Sequence, residues 1–254
     1  MTKVMPVIRE EWKIKKQNGQ VIRGITCRPD RDKEIFPLVI FSHGFNGCYE
    51  ELIHHGTGYA ENGIVCVFFD FCGGGMCSKS DGNLQDMTVL DEAMDLEEVM
   101  DYCITLPYVD EKHLFLQGES QGGFVSAIVA ARRKEMVRGL ILWYPAFIIP
   151  DDAKRRSLTG STEVFGITLS KAYDKAAVTI NNEALQRDFD KPVLLIHGDQ
   201  DDLVPILYSK KAASTYPNAT LRIMEGAGHG FADDSARARE WSVEFIHIWC
   251  REYE

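Results

Sequence analysis

The sequence around residue 120 places a short, glycine-flanked turn between an apolar strand and a helix of small residues. Residues 113–116 read His-Leu-Phe-Leu, residues 118–122 read Gly-Glu-Ser-Gln-Gly, and a small-residue helical pattern continues to residue 131. In this context G-x-S-x-G is typical of a nucleophile elbow, because glycines on either side of the serine let backbone pass close to backbone. The pattern therefore predicts a nucleophilic Ser120 that is lifted clear of the sheet.

Apolar runs alternate with helical patterns along most of the chain, which predicts an α/β fold with a mainly parallel central sheet flanked by helices. Buried strands are expected at residues 37–41, 64–69, 113–116, 139–143, 192–196 and 220–224. Helices are expected at residues 50–62, 89–106 (capped by Thr88), 123–131, 205–216 and 234–251. Two opening strands joined by an Asn-Gly turn are expected to pair antiparallel at one edge.

Residues 146–190 interrupt this alternation with a mixture of charged residues, turn residues and isolated apolar residues. A stretch of about 45 residues is too long for a plain loop in a compact domain. We interpret it as a short inserted cap or lid above the carboxyl ends of the strands, where open α/β sheets bind ligands. Residues 1–145 and 191–254 then form the core. The alternative is an insertion remote from the site.

Charge and apolar patterning exclude several classes of partner. The formal charge is −10 over 254 residues, and no stripe of lysine or arginine is present, which argues against nucleic-acid binding. The apolar runs are too short to span a membrane, and residues 1–6 lack the apolar region of a secretory leader. Seven scattered cysteines without C-x-x-C spacing favour reduced thiols and a cytoplasmic location. Cys72 and Cys77 flank a glycine run, and pairing or metal binding there is the alternative.

A serine hydroxyl needs a base to become a nucleophile, and that base needs an orienting acid. His229 is the candidate base, because it lies in a glycine-rich loop that follows an apolar strand. Three aspartates follow the strand at residues 192–196 and are candidates for the acid: Asp199, Asp201 and Asp202. The residues alone do not choose among them, and Asp202 also suits the cap of the next helix.

An oxyanion hole requires two hydrogen-bond donors aimed at the developing charge. The candidates are the backbone amides of Gln121 and of Phe45, which lies in the loop Ser-His-Gly-Phe-Asn-Gly at residues 42–47. The phosphate-loop and dinucleotide-binding motifs are absent, as is H-E-x-x-H. We therefore expect no cofactor and no metal, and we expect His54 and His55 to form a surface pair on a helix.

These motifs resemble those of the α/β-hydrolase superfamily, and most of all the small bacterial feruloyl/cinnamoyl esterases. The similarity rests on Ser-His-Gly-Phe at residues 42–45, Gly-Glu-Ser-Gln-Gly-Gly at residues 118–123, and Gly-His-Gly-Phe at residues 228–231. The serine–acid–histidine order along the chain is that of the superfamily. The resemblance implies that Asp201 is the acid, and it supports Phe45 and Gln121 as oxyanion amides. The loop that starts at Asp70 departs from the family pattern because it lacks the usual arginine.

The resulting expectation is a serine hydrolase that cleaves small-molecule carboxylic esters, with small, medium or hydroxycinnamoyl-type acyl groups. The acyl-enzyme would form on a triad of Ser120, His229 and Asp201. One alternative is a serine aminopeptidase or oligopeptidase-like enzyme, in which acidic residues of the inserted segment hold a substrate amine: Asp151, Asp152 or Glu163. Another alternative is a catalytically silent receptor. The exposed face of the last helix and the inserted segment are candidate contacts for a homodimer.

Overall fold

The computed structural model describes residues 6–31 and 34–251, so most of the N-terminal stretch considered above lies outside the described residues. Within these described residues, eight strands form one sheet in the order β1-β2-β4-β3-β5-β6-β9-β10, and β7 and β8 form a small hairpin. The strands are β1 Val7–Lys15, β2 Val21–Pro29, β3 Phe36–Ser42, β4 Val65–Asp70, β5 Val109–Glu119, β6 Gly139–Trp143, β7 Glu163–Val164, β8 Ile167–Thr168, β9 Val193–Gly198 and β10 Ala219–Met224.

The pairing of the strands confirms a mainly parallel sheet. From β4 across to β10 every neighbouring pair is parallel, whereas β1–β2 and β2–β4 are antiparallel. The antiparallel strands lie at one edge, as the opening Asn-Gly turn indicated. Parallel strands need crossover connections, and the intervening helices supply them on both faces of the sheet.

The helices differ from the expected bounds mainly at residues 50–62, where one helix was predicted. The observed helices are α1 Tyr49–Leu52, α2 Gly56–Glu61, α3 Val89–Cys103, α4 Ser120–Arg132, α5 Ile149–Thr159, α6 Lys171–Ala177, α7 Asn182–Asp188, α8 Leu207–Thr215 and α9 Ser235–Arg251. A 3₁₀ turn at Ile53–His55 separates α1 from α2. No helix within the described residues is long and apolar enough to cross a membrane.

The 3₁₀ turn changes the position of one histidine. His55 is buried, and its ring lies against those of Phe41 and Trp143, so the expectation of a surface pair with His54 is wrong for His55. Burial lowers the pKa of His55 to about 3. His55 is the last residue of the 3₁₀ turn, whose tighter winding changes the direction of successive side chains relative to an α-helix.

The central strand β3 is buried on both faces. Leu38 and Ile40 pack into the core on the side of α3 and α4, whereas Val39 and Phe41 pack on the side of α2 and α9. A strand covered by helices on both faces is expected to be apolar throughout rather than alternating. The carboxyl end of β3 is therefore rigidly held, and the loop at residues 42–47 starts from a fixed point.

The inserted segment, residues 146–190, contains α5, the β7–β8 hairpin, α6 and α7. Arg156 on α5 forms a two-pronged ion pair with Asp174 on α6, with Nη2 2.7 Å from Oδ1. The amide of Ser170 donates to the carbonyl of Gln85 in the loop before α3, at 2.7 Å. The segment is thus ordered internally and hydrogen-bonded to the core.

Cys48 and Cys77 form a disulfide, which the cysteine pattern did not predict. Their Cα atoms are 5.8 Å apart, and they belong to the loops that follow β3 and β4. Because these strands are parallel neighbours, their carboxyl-end loops meet at the same edge of the sheet. The expectation that all thiols are reduced is wrong for this pair, and Cys72, the partner considered for Cys77, is a buried free thiol. The cytoplasmic location stays a prediction.

Replacing Cys77 by serine should lower the thermal stability. The disulfide closes a loop with a sequence separation of 29 residues, for which chain entropy predicts about 3–4 kcal/mol of stabilisation. We expect the unfolding temperature to fall by about 5–10 °C in a calorimetric scan. A reductant should produce a similar fall in the unsubstituted protein and no further fall in Cys77→Ser. Equal stability of the two oxidised proteins would contradict the prediction.

Candidate active site

Ser120 stands at the junction of β5 and α4, in the left-handed backbone region at φ 49°. Non-glycine residues adopt this conformation only where the surroundings enforce it. Here the enforcing contact is between backbones: a Cβ on Gly122 would lie 2.3 Å from the carbonyl oxygen of His43 and 2.4 Å from that of Ser42. A Cβ on Gly118 would lie 2.3 Å from the carbonyl oxygen of Gly122. The glycines therefore let α4 begin directly against the end of β3.

The structure brings Ser120, His229 and Asp201 into one hydrogen-bonded chain. The Oγ atom of Ser120 lies 3.0 Å from Nε2 of His229, and Nδ1 of His229 lies 2.8 Å from Oδ2 of Asp201. The three residues come from the ends of β5, β10 and β9, which lie at the same edge of the sheet. This arrangement matches a nucleophile, a base and an orienting acid in the geometry that acyl transfer requires.

Asp201 is the one of the three candidate aspartates whose carboxylate reaches His229. Its Oδ1 accepts the amides of Leu203 and Val204, at 2.9 and 2.8 Å, and its Oδ2 also lies 3.1 Å from Nε2 of His197. Burial by itself raises the pKa of Asp201, but hydrogen bonds from His197, His229 and the Val204 amide outweigh it and hold the pKa well below its usual value. The carboxylate is therefore ionised at neutral pH.

The two neighbouring aspartates serve elsewhere. Asp199 accepts the amide of Gly226 at 2.7 Å and so fastens the loop that leads to His229. Asp202 is exposed, and α8 begins at Leu207 without a side-chain cap, so the expectation that Asp202 caps this helix is wrong. The reason is that Asp201, rather than Asp202, accepts the amides of the intervening turn.

Both expected oxyanion donors line the same cavity as Ser120. Gln121 lies in the first turn of α4, where backbone amides have no partner within the helix. The amide of Phe45 donates to no backbone carbonyl within the described parts of the chain. His43 holds the Phe45 loop from below: its Nδ1 lies 2.8 Å from the Gly44 carbonyl, and its Nε2 accepts the Phe71 amide at 3.2 Å. Burial lowers the pKa of His43 to about 4, so the ring is neutral.

Two polar residues beside Ser120 and His229, Tyr144 and Glu119, were not singled out from the sequence. The hydroxyl of Tyr144 donates to Oε2 of Glu119 at 2.5 Å, and the Tyr144 ring lies against His229 with ring centroids 4.5 Å apart. Tyr144 also has a positive φ of 35°. It directly follows β6, and this position at the carboxyl end of a parallel strand was the signal that could have identified it.

The side chain of Gln121 joins the elbow to the inserted segment. Its Oε1 accepts the hydroxyl of Tyr173 on α6 at 2.6 Å, and its Nε2 donates to Oε2 of Glu92 on α3 at 2.8 Å. Burial raises the pKa of Glu92 well above its usual value. A chain of side chains therefore runs from α6 through the residue after Ser120 to α3.

A cavity of about 500 Å³ opens above Ser120. Many of its lining residues come from the inserted segment, and these are mostly apolar with three charged members: Ala146, Ile148, Ile149, Asp152, Arg156, Glu163, Val164, Phe165, Ile167 and Tyr173. Phe165 is exposed at the tip of the β7–β8 hairpin, with its ring 6.0 Å from that of Phe45. Asp151 does not line this cavity, because its carboxylate accepts the hydroxyl of Tyr208 in a separate surface depression.

A group of potential metal ligands within the described residues lies at one side of the site. Cys48, Glu51 and Cys77 place their ligand atoms within 4.8 Å of one another. Because the two sulfur atoms are bonded to each other, neither is available as a thiolate ligand. This group is therefore a disulfide beside a carboxylate rather than a metal centre.

The family model for the prolyl oligopeptidase family (Peptidase_S9) matches residues 54–253, which is most of the chain. The chain belongs to this family. The match includes the elbow, the inserted segment, and the loops that carry Asp201 and His229. Membership in a hydrolase family agrees with the observed sheet and elbow, and the α/β-hydrolase fold expected from the sequence is confirmed.

Solved structures support the same fold. Est1E from Butyrivibrio proteoclasticus, solved with ferulic acid bound, is 28% identical with a TM-score of 0.81, and the similarity covers 93% of this chain and 98% of that one. A putative dipeptidyl aminopeptidase IV from Bacteroides ovatus has a TM-score of 0.76 at 19% identity, covering 97% of this chain and 36% of that one. At that identity the second likeness shows the fold alone.

Among curated proteins, the non-heme chloroperoxidase CPO-A1 of Kitasatospora aureofaciens is 47% identical over 65 residues. This match covers 24% of the chain and 24% of that protein. The chain spans about a quarter of the length of the curated relatives it matches. Together with the family match, these comparisons identify the chain as an α/β hydrolase with esterase and peptidase relatives.

Replacing Gly122 by alanine should destabilise the fold, because the added Cβ would lie within 2.4 Å of two backbone oxygens of the β3 end. Backbone atoms cannot move aside as a flexible side chain does, so we expect a loss of about 3 kcal/mol or more in the free energy of unfolding, measured by denaturant titration. Gly228→Ala is the matched control, because its Cβ would meet only the Gln200 oxygen, at 3.6 Å. Similar stabilities for the two variants would contradict this account of the elbow.

Proposed function

We propose that the protein is a serine hydrolase that cleaves carboxylic esters through an acyl-enzyme intermediate. The observation that carries the proposal is the Ser120–His229–Asp201 chain, with distances of 3.0 and 2.8 Å, at the floor of a cavity. Nothing in this chemistry needs a cofactor, because the nucleophile, the base and the oxyanion donors are all supplied by the protein.

In the proposed reaction, Ser120 Oγ attacks the ester carbonyl while Nε2 of His229 takes the hydroxyl proton. Asp201 holds Nδ1 of His229 and stabilises the imidazolium that results. The amides of Phe45 and Gln121 donate to the oxyanion of the tetrahedral intermediate. His229 then gives the proton to the departing alcohol. Water, activated by the same histidine, releases the acyl group and restores Ser120.

The composition of the inserted segment favours substrates with small or medium acyl groups, including those of the hydroxycinnamoyl type. It contributes apolar and aromatic walls to the cavity, among them Val164, Phe165 and Tyr173, and flat aromatic groups pack well against such walls. Est1E, the relative solved with ferulic acid bound, shares the fold over nearly the whole chain. We assign the segment the role of a cap that shapes the acyl pocket.

A serine aminopeptidase is the second candidate, because the chain belongs to the prolyl oligopeptidase family. Two acidic residues of the inserted segment, Asp152 and Glu163, line the cavity and could hold a substrate amine. Asp152 is paired with Arg155, which reduces its availability. Asp151, considered for this role from the sequence, lies outside the cavity and is not a candidate.

A substrate panel tests the proposal: p-nitrophenyl esters from acetate to decanoate, methyl ferulate, and alanyl-p-nitroanilide. We expect turnover of esters in preference to the arylamide. Ser120→Ala should reduce ester turnover by about 10⁴-fold or more, while its unfolding temperature stays close to that of the unsubstituted protein. Undiminished turnover in Ser120→Ala would exclude the mechanism. A preference for the arylamide would favour the aminopeptidase.

Two adjacent aspartates allow a matched test of the acid. Asp201→Asn should lower kcat/KM by about 10³–10⁴-fold, because an amide no longer holds the His229 ring in the tautomer that accepts a proton at Nε2. Asp202→Asn, the same change one residue away, should leave kcat/KM within about twofold, because its exposed side chain does not reach the histidine. Equal losses in the two variants would refute the assignment of Asp201.

A further inference from the structure

The carboxylate of Glu119, the residue before Ser120, lies between Gly44 and Tyr144 rather than in solvent. It lines the cavity together with Ser120 and His229 and is half-buried. The Tyr144 hydroxyl donates to its Oε2 at 2.5 Å, and Gly44 lies beside the same carboxylate, where a Cβ on Gly44 would be 3.8 Å from Oε1 of Glu119. The proposed mechanism uses neither contact, so the presence of a second carboxylate beside Ser120 and His229 needs its own explanation.

Gly44 packs between Ser120 and the Glu119 carboxylate, and it directly precedes Phe45 in the loop that carries the expected oxyanion donor. A Cβ on Gly44 would be 3.3 Å from the Cβ of Ser120 and 3.8 Å from Oε1 of Glu119. Because Gly44 is enclosed on these two sides, the Glu119 side chain limits how far the start of this loop can move.

The bond from Tyr144 fixes the other side of the site. The Tyr144 ring lies against the imidazole of His229, with centroids 4.5 Å apart, and against Phe231, with centroids 4.7 Å apart. A tyrosine with φ of 35° is held in an unfavourable backbone conformation, so its hydroxyl contact helps to retain the ring in place. One carboxylate thus restrains both the oxyanion loop and the face of the base.

We propose that Glu119 is a positioning residue: it holds the Phe45 loop and, through Tyr144, the His229 ring in register with Ser120, and its negative charge favours the imidazolium formed during attack. The inference rests on the proposed function and deepens it. The Tyr144 hydroxyl donates to the carboxylate, and a hydrogen bond accepted by an ionised oxygen is stronger than one accepted by a neutral oxygen. Loss of the charge should therefore weaken catalysis even where the shape of the side chain is kept.

The surroundings of Glu119 and His229 contain other groups that bear on pH dependence. Burial raises the pKa of Glu119, with Glu51 acting in the same direction, while Tyr144, the Gly44 amide and His229 act in the opposite direction. The charged and titratable groups that face the two residues across the site come from α1, the residue after β6, the loop after β9 and the inserted segment: Glu51, Tyr144, Asp201, Asp152, Arg156 and Glu163. Substitution of Glu119 alone leaves all of these in place.

The test uses the rate at which a fluorophosphonate probe labels Ser120, followed by mass spectrometry from pH 5 to 9. In this reaction the Oγ–P bond forms, the P–F bond breaks, the hydroxyl proton passes to His229 and fluoride leaves. The reaction needs the nucleophile, the base and the oxyanion amides but no particular substrate. Failure of ester turnover and failure of the inference can therefore be told apart.

Glu119→Gln keeps the shape and removes the charge. We expect its maximal labelling rate to fall about tenfold, less than the loss on deleting an oxyanion donor outright. We also expect the pH of half-maximal rate on the acid side to fall by about half a unit or more, because a carboxylate no longer favours the protonated imidazole. In Tyr144→Phe the labelling rate should be several-fold lower, and the pH of half-maximal rate on the acid side should not change. The double variant should be no slower than Glu119→Gln, because the hydroxyl acts through Glu119.

Glu111→Gln, the same change at the exposed far end of β5, is the control and should match the unsubstituted protein. If Glu119→Gln does not fold, as judged by thermal unfolding, Glu119→Asp replaces it. That variant keeps the charge but has a shorter side chain. Its labelling rate should therefore fall while the pH of half-maximal rate on the acid side stays the same, and an unchanged rate would overturn the proposal.

A Glu119→Gln rate within twofold of the unsubstituted protein would overturn the proposal. A slower rate with an unmoved acid side would also overturn it, because a merely structural role produces that result. Absence of labelling in the unsubstituted protein would overturn the proposed function and this inference together.

Discussion

The contact on which the site depends is the approach of two backbones, the start of α4 and the end of β3, with Gly122 facing the carbonyl oxygens of Ser42 and His43. Because no side chain separates the two segments, the strain at Ser120 is sustained by packing rather than by a local hydrogen bond. The same approach brings Gly44 against Ser120, so Ser120 and the loop at residues 42–47 are positioned by a single steric constraint. The buried, apolar β3 supplies the rigidity that this constraint requires.

Features that depend on neighbouring residues in the chain could be predicted from the sequence. The buried strand β3, the elbow at Ser120, the capped helix α3 and the glycine-flanked His229 are each encoded in fewer than twenty consecutive residues, and the structure has each of them. Propensity, apolar period and turn chemistry agree in these segments, which is why local reasoning succeeds there.

Features that depend on the meeting of distant segments could not be predicted in the same way. Residues alone left three aspartates open, because only the fold determines that Asp201 turns towards His229 while Asp199 turns towards Gly226. Cys48 and Cys77 are brought together because β3 and β4 are adjacent in the sheet. The spacing of the cysteines along the sequence does not reveal that adjacency. Tyr144 directly follows an apolar strand and reads as its continuation in the sequence. Its contact with His229 arises from loops that are more than eighty residues apart.

The hydrogen-bonded chain from Tyr173 through Gln121 to Glu92 has a consequence for how such enzymes diversify. The inserted segment, which we propose as a cap over the acyl pocket, is joined here to the residue whose amide is proposed to stabilise the oxyanion. Under the proposed function, substrate choice and turnover would then share this chain, because a substitution on α6 that removes the Tyr173 hydroxyl bond also changes the surroundings of Gln121. An exchange of this segment between relatives would have to carry the partners of Gln121 along with it. In this sense the inserted segment and the residue after Ser120 form one structural unit, and the segment is not an independent addition to the core.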